Sequence, residues 1–221
     1  MHPHMQREIE GLKKKLLIVS AQVETALQKA VRSLMERNDA LAQEVINGDP
    51  EIDQMEVDVE EEVLKILALY SPVANDLRFV VAVLKINSDM ERIADEAVNI
   101  AERTIFLSKH PKIKIPQELT TMVNLVQSML DKALQALINL NSKLALEVIQ
   151  TDDEVDDLHK CMYTLIQNRI KADIEHIDCL INILSVSRQL ERIADQVTNI
   201  AEDVVYMVEG DIVRHKDIIE S

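Results

Sequence analysis

A chain of 221 residues can bury one sizeable core or two small ones, and with three Gly, five Pro and 2% aromatics it lacks the turn residues and large rings that sheets favour. A net charge of −15 offers no surface that could neutralise phosphates, which argues against nucleic acid as a partner. No apolar run approaches the roughly 20 residues of a membrane span, and the short LLIV run behind "LKKK" is too brief for a signal peptide. Cys161 and Cys179 fall in separate predicted helices with no counterparts in the first half, so a reduced, cytoplasmic protein is the economical expectation.

The first element is a long helix whose apolar residues recur every three or four positions, from Leu16, Val19, Val23, Leu27 and Ala30 to Leu34, Leu41 and Val45. Gly48-Asp49-Pro50 reads as a terminal Gly, an Asp cap and a Pro at the first position of the next helix. Ser71-Pro72 repeats the arrangement, and "SKHPKIKIPQ" at 108–117 is the clear linker. Six helices are therefore predicted, at about 5–47, 50–70, 73–108, 117–149, 152–171 and 174–209. Several exceed 30 residues, or about 45 Å at 1.5 Å per residue, a length suited to elongated bundles.

The two halves repeat one another. "LAQEVINGDPEID" (41–53) aligns with "LALEVIQTDDEVD" (144–156) at an offset of 103 (144 minus 41). Further on, "ERIADEAVNIAE" (91–102) returns as "ERIADQVTNIAE" (191–202) at an offset of 100, with nine of twelve positions identical. The predicted fold is all-α: two tandem, pseudo-symmetric three-helix bundles, over 1–108 and 117–221, joined by a linker at 109–116.

On a helical wheel with Glu91 at the origin, Glu102, Asp95 and Asn99 lie within about 80° of it. The apolar residues from Met90 to Ala101 fill the range from about 180° to 340°, so the oxygen-bearing stripe flanks the core instead of opposing it. Glu191, Asp195, Asn199 and Glu202 do the same in the second copy. Residues 53 and 91 average to 72, the predicted Ser71-Pro72 turn, and 156 and 191 average to 173.5, beside Asp173, which can cap a helix. Antiparallel hairpins about those points bring Asp49 and Asp53 level with Glu91 and Asp95, and Asp152 and Asp156 level with Glu191 and Asp195. Glu56 and His159, equivalent at the offset of 103, lie about a turn beyond on the same face.

Four converging carboxylates repel one another, and partial burial adds to the penalty. A cation removes it, and oxygen donors suit magnesium, manganese or oxidised iron. The plainer reading makes Asp49 and Asp152 helix N-caps and leaves Glu91 and Asp95 to pair with Arg92, Arg103 or Arg192 on a solvated face. Two acidic pairs in register, twice, favour the metal.

Tandem helical triplets with a (D/E)xxxD pair and an "ERIAD…N" helix resemble the PhoU family, regulators of bacterial phosphate uptake. The stretch "SPVANDLRFVVAVLKINSDMERIADEAVNIAER" (71–103) carries most of the likeness, which covers nearly the whole chain. The resemblance implies a cytoplasmic, often dimeric protein without established catalytic chemistry. It implies partners in a phosphate-specific ABC transporter and a membrane sensor histidine kinase, repression of phosphate-starvation genes, and metal ions, in some members iron clusters, on the acidic pairs. By that pattern Asp49, Asp53, Glu91, Asp95, Asp152, Asp156, Glu191 and Asp195 carry over, although the second copy lacks the "SPVANDLR" turn and reads "KADIEHID". Two alternatives stand beside it: a metal-free helical scaffold, and a ferritin-like di-metal oxidase, for which the required Glu-x-x-His is missing.

Overall fold

The computed structural model describes residues 3–172 and 174–210. Among the described residues six helices run in order: α1 (Pro3–Glu36), α2 (Asp39–Tyr70), α3 (Ala74–Ser108), α4 (Gln117–Asn139), α5 (Ser142–Ala172) and α6 (Ile177–Glu209), the last preceded by a short 3₁₀ turn (Ile174–His176). Among the described residues there is no strand. The Asp173 cap and the end of the second repeat beyond 210 lie outside the described residues.

Two helix breaks differ from the sequence reading. Gly48-Asp49-Pro50 does not end a helix; Pro50 sits inside α2 on an exposed face. A proline there removes one backbone donor and costs on the order of 3 kcal/mol, which the long amphipathic helix absorbs through its buried stripe. The break lies earlier, at Arg37-Asn38, and its counterpart at Leu140-Asn141 replaces the expected one near Thr151-Asp152. Arg37 and Leu140 adopt left-handed backbone, at φ 56 and φ 48. The Asn38 and Asn141 amides then donate to the Ser33 and Ala136 carbonyls, each at 2.9 Å, closing the six-residue loop that terminates many helices. The same asparagines start the next helices, with Oδ1 accepting from the Leu41 and Leu144 amides at 3.1 and 3.2 Å. Arg37 also donates to the Leu107, Ser108 and His110 carbonyls, closing the end of α3.

Helices α1, α2 and α3 pack on one another, as do α4, α5 and α6, and α3 lies along α6. Lys85 reaches Asp203 at 3.2 Å and Glu96 reaches Arg192 at 2.8 Å. A step of eleven forward in α3 (96 minus 85) matches eleven backward in α6 (203 minus 192), so these helices are antiparallel. The two ERIAD segments therefore pass each other at the middle of the molecule. Covered by neighbours on several sides, α3 and α6 bury polar residues as well as apolar ones: Asn87, Asp89, Glu96 and Thr104 in one, Ser187, Gln189 and Asp203 in the other. The buried apolar residues of all six helices form one connected cluster. Among the described residues, no helix is long and apolar enough to cross a membrane.

Candidate functional site

The α2–α3 hairpin turns at Ser71-Pro72-Val73, where Ser71 is left-handed (φ 45) and Val73 extended. Its level is fixed further along by Asn87, whose Nδ2 donates to the Glu56 carbonyl at 2.9 Å. With 56 opposite 87, Asp53 comes opposite Met90, within one residue of the Glu91 that the midpoint reading gives. In the second hairpin, His159 Nδ1 meets Ser187 Oγ at 3.0 Å, which likewise sets Asp156 opposite Leu190, beside Glu191.

The carboxylates in each hairpin feel one another. Burial, then Asp53 and Asp95, pushes Asp49 up to about 6. Burial, then Asp195 and Asp156, pushes Asp152 to about 6 as well. Thr198 lies close enough to favour the charged form of Asp152, but short of a well-formed hydrogen bond. Glu91 is raised by burial, Asp95, Asp53 and Glu56, and Asp95 by burial and Asp53. Glu191 is raised by burial and Asp156, and Asp195 by burial, Glu191 and Asp156. Burial, Glu60 and Asp53 raise Glu56, while burial lowers His159 against the pull of Asp156. Each half thus gathers one repulsive group: Asp49, Asp53, Glu56, Glu91 and Asp95 in the first, Asp152, Asp156, Glu191 and Asp195 beside His159 in the second.

Neither part of the plainer reading holds for these residues. Asp49 and Asp152 lie well inside α2 and α5, where they cap nothing. Among the described residues, none of the eight paired carboxylates forms an ion pair; Arg92 turns to Asp89 at 3.8 Å and Arg192 to Glu96. Asp49 Oδ1 is buried with no hydrogen-bond partner. The seam is nevertheless open, since Asp53, Asp95 and Asp195 are exposed while Asp49, Glu91, Asp152, Asp156 and Glu191 are half-buried. As the side chains stand, no three His, Cys, Asp or Glu among the described residues converge closely enough to hold one ion.

The outlying candidates are placed differently. Asn99 donates to Glu96 at 3.1 Å, toward the α3–α6 contact. Glu102 is exposed; Asn199 and Glu202 are half-buried, and Glu202 already has an interaction partner. On the helical wheel Glu96 falls at about 140° from Glu91, on the polar flank beside Arg92 and Arg103, yet it is 4% exposed and meets Arg192 across the two halves. The signal was the Glu96/Gln196 mismatch inside an otherwise repeated string.

The chain matches the PhoU domain twice, over residues 16–104 and 119–204. It is 38% identical over 214 residues to the phosphate-specific transport system accessory protein PhoU homolog of Aquifex aeolicus, covering 97% of each chain. It is 37% identical to the homolog of Pseudomonas aeruginosa, covering 94% of this chain and 86% of that one. The crystal structure of PhoU from Pseudomonas aeruginosa superposes with a TM-score of 0.91 at 36% identity, covering 93% of this chain and 99% of that one.

The chain belongs to the PhoU family.

A PhoU structure from Streptococcus pneumoniae matches at a TM-score of 0.84 and 28% identity over 95% of this chain and 99% of that one. The all-α architecture expected for a PhoU protein is thus the observed one. In donor type the seam suits the metal ions that the PhoU resemblance implies, hard oxygens with one buried oxygen on Asp49 left without a partner, but the side chains as they stand do not converge on one ion.

The raised carboxyls give metal-free protein a pH dependence of definite sign. An Asp whose folded pKa is about 6 and unfolded pKa about 3.8 binds more protons folded than unfolded between those values. Its stabilising effect is present at low pH and lost as pH rises through about 6. In chelator-treated protein, Asp49→Asn and Asp152→Asn should each raise stability at pH 7.5, on the order of 1 kcal/mol after allowing for partial exposure, and leave it nearly unchanged at pH 4. Thermal melts of wild type and variants across that range measure the difference. An equal effect at both pH values would mean that the two carboxyls do not titrate as described.

Proposed function

We propose that this chain is a non-enzymatic regulator of phosphate uptake and phosphate-starvation signalling. It acts through protein contacts between the phosphate ABC transporter ATPase and a sensor histidine kinase, on the cytoplasmic side of the membrane and as a homodimer. Its two halves, 1–108 and 117–221, are PhoU-like repeats, and each holds metal on its acidic hairpin seam. The observation that carries the reading is the match of both halves, in sequence and in fold, to phosphate-specific transport accessory proteins along nearly their whole length. With a net charge of −15, regulation by contact with proteins is physically simpler than regulation by contact with DNA.

Asp49, Asp53, Glu91 and Asp95 would hold metal in the first half, and Asp152, Asp156, Glu191 and Asp195 in the second, with Glu56 and His159 beside them. Iron, manganese and magnesium are the fitting classes. Bound metal supplies positive charge that offsets the mutual repulsion and ties α2 to α3 and α5 to α6. The carboxylates must swing together from their present positions to do so. That requirement favours, as a second reading, a metal-free helical scaffold in which the acids are surface charge.

Deleting the gene should leave a phosphate-starvation reporter such as alkaline phosphatase high in phosphate-rich medium. Tagged protein from such medium should capture the transporter ATPase. Normal repression in the deletion strain, or salt-sensitive DNA binding by the purified protein, would remove this reading.

A further inference from the structure

The segment that joins the halves, from Pro111 through Lys112, Ile113, Lys114 and Ile115 to Pro116, is neither helix nor turn. The two prolines fix their own φ and bias His110 and Ile115 toward extended backbone, and Pro116 is extended at φ −60 and ψ 146. Ile113 and Ile115 are half-buried against the core while Lys112 and Lys114 are exposed, the alternation of a strand with one face on the protein. Arg37 donates to the His110 carbonyl and Arg169 to the Lys114 carbonyl, each at 2.7 Å, which holds the segment in place. Among the described residues, the amides and carbonyls of Lys112, Ile113 and Ile115 have no hydrogen-bond partner. Successive residues of a strand turn these groups to opposite edges, so Ile113 and Ile115 share the edge that Arg169 does not hold.

Beside this segment lies a cleft of about 270 Å³. Leu34, Met35, Leu107 and Ile183 line it from α1, α3 and α6, together with Ile113 and Ile115. The charged residues that line it are all basic: Arg37, Lys112 and Lys114. Arg37 is engaged by three backbone carbonyls. The ammonium groups of Lys112, Lys114 and the neighbouring Lys109 have no carboxylate partner among the described residues. From Ser108 to Gln117 the sequence has three Lys and no acid, within a chain of net charge −15. An acidic ligand repelled by most of this molecule is attracted here.

We propose that the linker is a docking strand for an acidic, extended peptide segment of a partner protein. The peptide pairs along the Ile113–Ile115 edge, seats an apolar side chain in the cleft and presents carboxylates to Lys112 and Lys114. In strand addition the main-chain hydrogen bonds give affinity, and pockets for alternate side chains give specificity. A second copy of this chain does not fit, because a twofold contact here sets lysine against lysine. An anionic lipid surface would use the lysines but leave the unpaired backbone and the cleft without a role. The surface lies apart from the acidic seams, so it stands whether or not they hold metal.

The probe is a short fluorescent peptide of alternating glutamate and leucine, titrated with the full chain and read by anisotropy. The wild type should bind it, more weakly as salt rises, and should not bind the matching peptide of lysine and leucine. Lys112→Glu with Lys114→Glu should weaken binding on the order of 10–100-fold and leave the melting temperature unchanged, since both side chains are exposed. N-methylating the peptide's leucines or its glutamates removes donors from one edge only, so one form should lose binding and the other keep it. Equal binding of both methylated forms, or of the lysine–leucine peptide, would overturn strand pairing. So would peptide affinity undiminished by the double charge reversal. Binding to phosphatidylglycerol vesicles that needs the same lysines, with no binding of the peptide, would assign the surface to a membrane instead. None of these outcomes touches the phosphate-starvation reading, which the reporter in the deletion strain decides.

Discussion

Metal returned to chelator-treated protein should raise its melting temperature in proportion to the logarithm of the free ion, because the clusters assemble only in the folded chain. At a hundredfold excess over the dissociation constant, one site adds about 2.7 kcal/mol. For a chain of 221 residues, that corresponds to roughly 5–10 °C. Glu91→Gln with Asp95→Asn should abolish the response of the first cluster and spare the second, and Glu191→Gln with Asp195→Asn should do the reverse. Without metal, the same pairs of changes should be neutral or stabilising, since the carboxylates within each group repel one another. Identical melting with and without chelator, across Mg²⁺, Mn²⁺ and ferric iron, would leave the clusters as surface charge and favour the metal-free scaffold.

Arg192→Ala should lower stability by about 2–3 kcal/mol. Glu96 has only 6% of its side chain exposed and relies on Arg192 at 2.8 Å and on Asn99 at 3.1 Å. Removing one partner of a fully buried pair costs roughly 3–5 kcal/mol; Arg192 is itself 57% exposed, which reduces the figure. Arg192 also opposes the raised carboxyls of Asp95, Glu191 and Asp195, so its loss strengthens repulsion on both sides of the α3–α6 contact. Adding Glu96→Gln to Arg192→Ala should recover most of the loss, because it deletes the charge left behind. Denaturant melts of the two singles and the double give the coupling. A single Arg192→Ala change within about 0.5 kcal/mol of wild type would show the ion pair to be energetically idle.

The sequence made some of this visible and hid the rest for identifiable reasons. The hairpin level was legible because Ser71-Pro72 is a true break, and a break with a known position converts spacing into register. The α1–α2 and α4–α5 breaks were hidden because Arg37 and Leu140 fill left-handed positions that usually mark themselves with glycine. Gly48-Asp49-Pro50, meanwhile, carries every local sign of an ending inside a continuous helix. That error was consequential: a cap role for Asp49 and Asp152 depended on it, and removing it leaves these carboxylates without their simplest explanation. The α3–α6 contact could not be seen on a wheel drawn for one helix, since Glu96 reads as solvated flank until a second helix covers it.

The antiparallel crossing of α3 and α6 has one more consequence. Between two identical chains, a twofold contact obliges every favourable pair to occur twice, and every change in one copy appears in the other. Here the crossing joins two halves of a single chain, and each half can drift alone. The mate of the Glu96–Arg192 pair would be Gln196 with Arg92, but glutamine has removed the charge, and Arg92 turns to Asp89 on its own helix. The fused chain thus keeps the mechanical benefit of a symmetric joint while its ends become distinguishable to whatever docks on them.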